Sequence, residues 1–214
     1  MSAHCCHDGA ERFAGASPRY RRILWLVIAL NALMFGVEVV AGALAGSMAL
    51  QADAMDFAAD AATYGLTLYM IGRPDRWRAR AALFKGASLA LMGTYVLGAT
   101  LWRVFVTGMP EPIVMGAVGF AALAVNVTAA LLLFRFREGD ANVRSVWLCS
   151  RNDAIGNVAV MLAALGVFGT GSAWPDLAVA AVMAGLFLYS AASILRQSLG
   201  ELRVSRRART VPAE

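Results

Sequence analysis

Three aspartates, Asp53, Asp56 and Asp60, stand inside a long apolar run at residues 51–69. Their spacing of three and then four residues puts them on one stripe of a helix. A carboxylate near the centre of a bilayer helix costs roughly 2.5 to 3.5 kcal/mol on insertion scales. Three on one stripe cannot face lipid, so the stripe must look at protein, water or a cation. A second apolar segment carries Cys149 and Asp153, again four residues apart, on a face shared with Asn152 and Gly156. An i, i+4 pair sets two donors one above the other on the same side of a helix. Asp56 and Asp60 opposite Cys149 and Asp153 would thus offer four donors to one tetrahedral ion. A thiolate beside carboxylates suits zinc or cadmium better than magnesium or calcium, which take oxygen donors.

Other polar residues in the apolar segments take lesser parts. Asn31 and Glu38 are seven apart and share a face. With Asp53 they form the supporting polar set, and Asn31, Asn126 and Asn157 read as packing hydrogen-bond formers. Arg151 points off the ligand face and is expected to neutralise a carboxylate such as Glu38 or Asp53. The N-terminal tract His4-Cys5-Cys6-His7 holds the two histidines of the chain. Its composition suits metal capture, as a flexible scavenger, but it lacks the spaced ligand pairs of a zinc finger.

These residues must be positioned by membrane helices. Hydrophobic residues make up 59% of the chain and charged residues 15%, with a mean hydropathy of +0.62; soluble domains run near about 45–50% and about 25%. Six apolar segments are expected at about residues 23–45, 48–71, 82–105, 113–134, 142 or 145–167, and 176–195, each near the roughly 20 residues a bilayer needs. Arginines collect before the first segment, in the loop at residues 72–80, after residue 134 and in the tail. This alternation predicts an all-α, six-helix membrane bundle with both ends in the cytosol. The expected division is a tail at residues 1–22, a transport domain at 23–198 and a basic tail at 199–214. Gly42, Gly46, Gly86, Gly93 and Gly98 are expected to admit close helix neighbours, and Lys85 and Arg103 to snorkel towards the two interfaces. A helical rise of about 1.5 Å per residue puts the two donor pairs level when the fifth segment begins near Asn142.

Three stretches carry a family resemblance. The first is Asn31-Ala-Leu-Met-Phe-Gly-Val-Glu38-Val-Val-Ala-Gly42, continuing through Gly46-Ser47-Met-Ala-Leu-Gln-Ala-Asp53-Ala-Met-Asp56-Phe-Ala-Ala-Asp60. The second is Asn152-Asp153-Ala-Ile-Gly156-Asn157-Val, and the third Trp174-Pro-Asp176 with Ser193, Leu195, Ser198 and Leu199. Together they resemble the cation diffusion facilitator family of divalent-metal transporters. The resemblance implies central metal ligands at Asp56, Asp60, the Cys149 position and Asp153. It also implies proton-coupled export of zinc or a similar ion by alternating access, and a homodimer. Cys149 stands where that family usually has His or Asp, which shifts the expected preference towards softer ions. The family's usual cytosolic C-terminal domain does not follow the sixth segment of this sequence, so a dimer would rest on membrane helices.

The expected function is therefore divalent metal efflux at a bacterial cytoplasmic membrane, with zinc first and cadmium or cobalt as alternatives. The transported ion and counter-transported protons take the place of a prosthetic group, and membrane lipid surrounds the chain. An intramembrane hydrolase would need histidine within the spans, and there is none, so an enzyme is not expected. The basic clusters lack the aromatic interleaving of a nucleic-acid surface. A non-transporting metal-binding accessory protein is the competing reading, and it would bind metal without moving it.

Overall fold

A computed structural model describes residues 17–70, 75–106, 108–137 and 141–210; the Cys/His tract at residues 4–7 lies outside the described residues. Every regular element among them is a helix: α1 (Pro18–Ala45), α2 (Met48–Met70), α3 (Asp75–Phe105), α4 (Pro112–Phe134), α5 (Ala141–Thr170) and α6 (Trp174–Thr210). The ends follow local chemistry. Ser17 caps α1 by accepting from the Tyr20 backbone N–H at 3.2 Å, with Pro18 in the first turn, where a missing N–H costs nothing. Gly46 closes the helix in the left-handed region at φ 66°, where a side chain would be strained. Glu111 and Pro112 begin α4 in the same manner.

Five of the six helices are long and apolar enough to cross a membrane. The remaining one is α2, whose 23 residues suffice in length but carry the three aspartates. Its acids turn inwards instead: Asp53 is 1% exposed and Asp60 8%. Outward faces elsewhere are apolar, with Leu44 and Phe105 each 83% exposed and Trp102, Phe168 and Tyr189 also outside. Large apolar side chains spread over an entire helical surface define a face towards lipid.

Two helices run beyond their apolar segments. Residues 75–80, expected in a loop, form the first turns of α3, and α6 continues to Thr210. A helix satisfies its own backbone in water as well as in lipid, so it need not stop where the apolar run stops.

Helices α1, α2, α4 and α5 pack together, chiefly α1 on α2 and α4 on α5, while α3 and α6 form a second intimate pair. Small residues permit that pairing. A Cβ on Gly86 would lie 2.9 Å from Leu195 Cγ, and one on Gly93 3.0 Å from Leu188 Cγ and 3.1 Å from Phe187 Cβ. Gly93→Val should therefore cost about 1–3 kcal/mol by overpacking, read as a lower melting temperature of the detergent-solubilised protein. Gly42 is equally close to Gln51, at 3.1 Å, but Gly98, expected to admit a neighbour, has nothing within 4 Å.

Candidate metal site

The site is built on the facing sides of α2 and α5. Helix α5 begins at Ala141, and Asp153 comes level with Asp56 and Asp60. Its carboxyl lies within hydrogen-bonding reach of both. Cys149, one turn before Asp153, is close enough to interact electrostatically with Asp56 and Asp60. Asp60 is buried, whereas Asp56, Cys149 and Asp153 keep some accessible surface. Buried Asp153 Oδ2 has no hydrogen-bond partner. All four residues expected as ligands are thus neighbours. They are not a closed coordination shell as they stand: among the described residues, no three Asp, Glu, Cys or His side chains converge tightly enough to hold an ion.

Two further groups attend the cluster that sequence reasoning had not placed there. Tyr64, fully buried one turn after Asp60, donates its hydroxyl to Asp60 Oδ2 and lies within reach of the Cys149 thiol. Its i, i+4 offset from Asp60 was the available signal. Lys85 of α3 is near enough to act on Asp56, Asp60 and Cys149. It lines a cavity of about 460 Å³ between α2 and α3, with Thr63, Tyr69, Phe84 and Ser88. A basic side chain beside acids offsets part of the cost of burying them.

The supporting residues form a separate layer. Asn157 Nδ2 donates to Asp53 Oδ2 at 2.6 Å, and Asn126 Nδ2 to Asn157 Oδ1 at 2.9 Å. Asn31 turns back on its own helix and donates to the Val27 carbonyl at 2.8 Å. Arg151 corrects an expectation. It is exposed, its Nη2 donates to Asn152 Oδ1 at 3.2 Å, and its guanidinium sits 5.3 Å from the centre of the Trp147 ring. It neutralises neither Glu38 nor Asp53, because a residue two before Asp153 leaves the helix on another side. Asn152 likewise points out rather than sharing the ligand face.

At the end of the bundle where α2 begins, Asp176 of α6 makes the firmest cross-helix contact. Its Oδ1 accepts from Ser47 Oγ at 2.6 Å and from Ala49 N at 3.0 Å, and its Oδ2 from Met48 N at 2.8 Å. A buried carboxylate on the first N–H groups of a helix satisfies them and complements the helix dipole. Arg103 of α3 donates to the Gly46 carbonyl at 2.5 Å. Both α3 and α6 are thereby tied to the turn between α1 and α2.

Fold and site define a class: a helical-bundle integral membrane protein with a cluster of buried carboxyls shared by two spans. The transmembrane-domain model of the cation efflux family matches residues 24–203, and the chain belongs to that family. It is 29% identical over 196 residues to the zinc transporter ZitB of Yersinia pestis, covering 84% of this chain and 62% of the relative. It is 28% identical over 189 residues to the metal cation efflux system protein CzcD of Cupriavidus metallidurans, covering 83% and 60%. It is 24% identical over 179 residues to the cadmium, cobalt and zinc/H(+)-K(+) antiporter of Bacillus velezensis, covering 76% and 56%. The chain spans about three fifths of the length of these curated relatives.

Proposed function

We propose that the protein exports a divalent metal cation, zinc foremost, across a bacterial cytoplasmic membrane, exchanging it for protons. It acts as a transporter and not as an enzyme. The carrying observation is the Asp153 carboxyl, with a buried unpartnered oxygen, set level with Asp56 and Asp60 and one turn from Cys149. Family membership and the printed substrates of the relatives support the same reading.

Proton exchange follows from ligand chemistry. Carboxylates and a thiolate bind metal only when deprotonated, so loading releases protons and protonation releases metal. With both chain ends in the cytosol, alternating exposure of the site would carry the ion outwards and protons inwards. In liposomes enclosing a zinc-sensitive dye, a pH gradient should accelerate zinc movement. Zinc flux that ignores the gradient would remove the exchange, and zinc binding without flux would favour an accessory role. Cys149→Ser should lower the preference for cadmium over zinc by about ten-fold, because a hydroxyl is a harder donor than a thiolate; unchanged selectivity would return Cys149 to packing. Two copies associating through membrane helices complete the proposal, tested by the mass of the solubilised particle.

A further inference from the structure

The proposed metal cluster leaves unused a second polar layer, which begins three residues before Asp56 on α2. It takes one side chain from each of four helices: Glu38 from α1, Asp53 from α2, Asn126 from α4 and Asn157 from α5. All are between 0% and 2% exposed. The two amides form a chain of donors that ends on Asp53 Oδ2. No such donor reaches Glu38, whose two carboxyl oxygens are both buried without a hydrogen-bond partner among the described residues. What lies within hydrogen-bonding reach of Glu38 is the Asp53 carboxyl. An ionised carboxylate can only accept, so the contact becomes a hydrogen bond only when one of the two carries a proton.

Two buried carboxyl groups in this relation cannot both ionise without severe repulsion. A proton satisfies both at once. Asn157 donates to Asp53 Oδ2 and so favours Asp53 as the ionised partner, and Glu38, which no amide reaches, as the acid. We infer that Glu38 and Asp53 form a proton-binding site separate from the metal cluster, and that it gives up its proton when a divalent cation occupies the neighbouring layer.

This rests on the proposed metal transport. The titratable groups acting on Glu38 are Asp53 and Asp56, both on α2. Helices α4 and α5 contribute the amides of Asn126 and Asn157, and Asp153 and Lys85 act on Asp56 from beyond. Asp53 precedes Asp56 by three residues, less than one helical turn of about 5.4 Å. A doubly charged ion at Asp56 would attract a second negative charge on the pair strongly across so short and dry a gap. The ion would then favour an ionised pair, and a returning proton would weaken hold on the ion. Exchange could thus be set by a residue that never touches the cargo.

The test counts protons. Zinc is titrated into the purified whole chain in weakly buffered detergent solution, and the protons released per bound zinc are measured for wild type, Glu38→Gln and Asp53→Asn. In Glu38→Gln the amide donates to Asp53 and no exchangeable acid is left, so about one fewer proton should be released per zinc. Equal release from wild type and both variants would overturn the proton site. Wild-type protein that binds no zinc would overturn the proposed function instead. Should neither variant fold, or zinc not bind, wild type alone decides through an apolar carbodiimide, which modifies protonated carboxyls. Modification at Glu38 in zinc-free protein supports the site, with protection by zinc where zinc binds. No modification at either residue, or labelling that bound zinc leaves unchanged, overturns it.

Discussion

Asp153→Ala should abolish zinc transport while leaving the metal-free protein as stable as wild type, or more so. The carboxyl of Asp153 sits within reach of both Asp56 and Asp60, and its buried Oδ2 has no partner. Without a cation, Asp56 and Asp60 of α2 and Asp153 of α5 lie close together, and removing one relieves repulsion. In the proposed site the same residue would be the α5 donor that faces the α2 pair. Loss of even an outer partner of a metal ligand typically costs 10–100-fold in affinity, so loss of this carboxyl should cost at least about 100-fold. A bound ion at about 100 times its dissociation constant stabilises a protein by roughly 2.7 kcal/mol. Zinc should therefore raise the melting temperature of wild type and not that of Asp153→Ala. Asp60→Ala should behave alike. A variant that transports like wild type, or that still gains stability from zinc, would remove Asp153 from the site.

The second large effect lies at the junction of α2 and α6. Asp176 is 1% exposed and accepts from Ser47 Oγ and from the backbone N–H groups of Met48 and Ala49. Asp176→Ala would strand these donors. Leaving a buried donor unsatisfied costs about 1–3 kcal/mol each, partly recovered where water enters the gap. A net loss of about 3 kcal/mol is expected, seen as a clear fall in melting temperature and faster loss of folded protein in detergent. Asp176→Asn keeps one good acceptor but turns an amide N–H towards another N–H, so it should fall between alanine and wild type. If alanine and asparagine were both harmless, the junction would not hold α6 to α2.

Much of this was legible beforehand, for identifiable reasons. Helix ends at residues 45 and 134 and the start of α4 at Pro112 coincide with the bounds of apolar runs, since Gly46, the arginines after Phe134 and Pro112 itself mark them. The proximity of Asp56, Asp60 and Asp153 followed from i, i+4 spacing and a matched depth. Partners across helices were not legible. Asp176 looked like the opening residue of a span, because nothing in its own helix shows that it faces the start of α2. Charge balance alone points Arg151 to a buried acid, whereas rotation about α5 carries it outside to Trp147. Gly98 looked like Gly93, yet spacing by five residues turns it away from α6.

The two ties at the α1–α2 turn and the cavity beside α2 lie at opposite ends of the bundle. Residues 46–49, Arg103 and Asp176 mark one end, while Thr63, Tyr69, Phe84 and Lys85 line the gap towards the other. The α3–α6 pair is thus hydrogen-bonded to the α1–α2 turn at one end, and a cavity separates α3 from α2 towards the other. Were that pair to rock against the other four helices, this tie would serve as the fulcrum and the widest excursions would fall beside Lys85. If the proposed transport involves movement of that pair, a covalent clamp between α2 and α3 near Thr63 and Ser88 should slow zinc flux, whereas one between α2 and α6 near Ser47 and Asp176 should leave it unchanged.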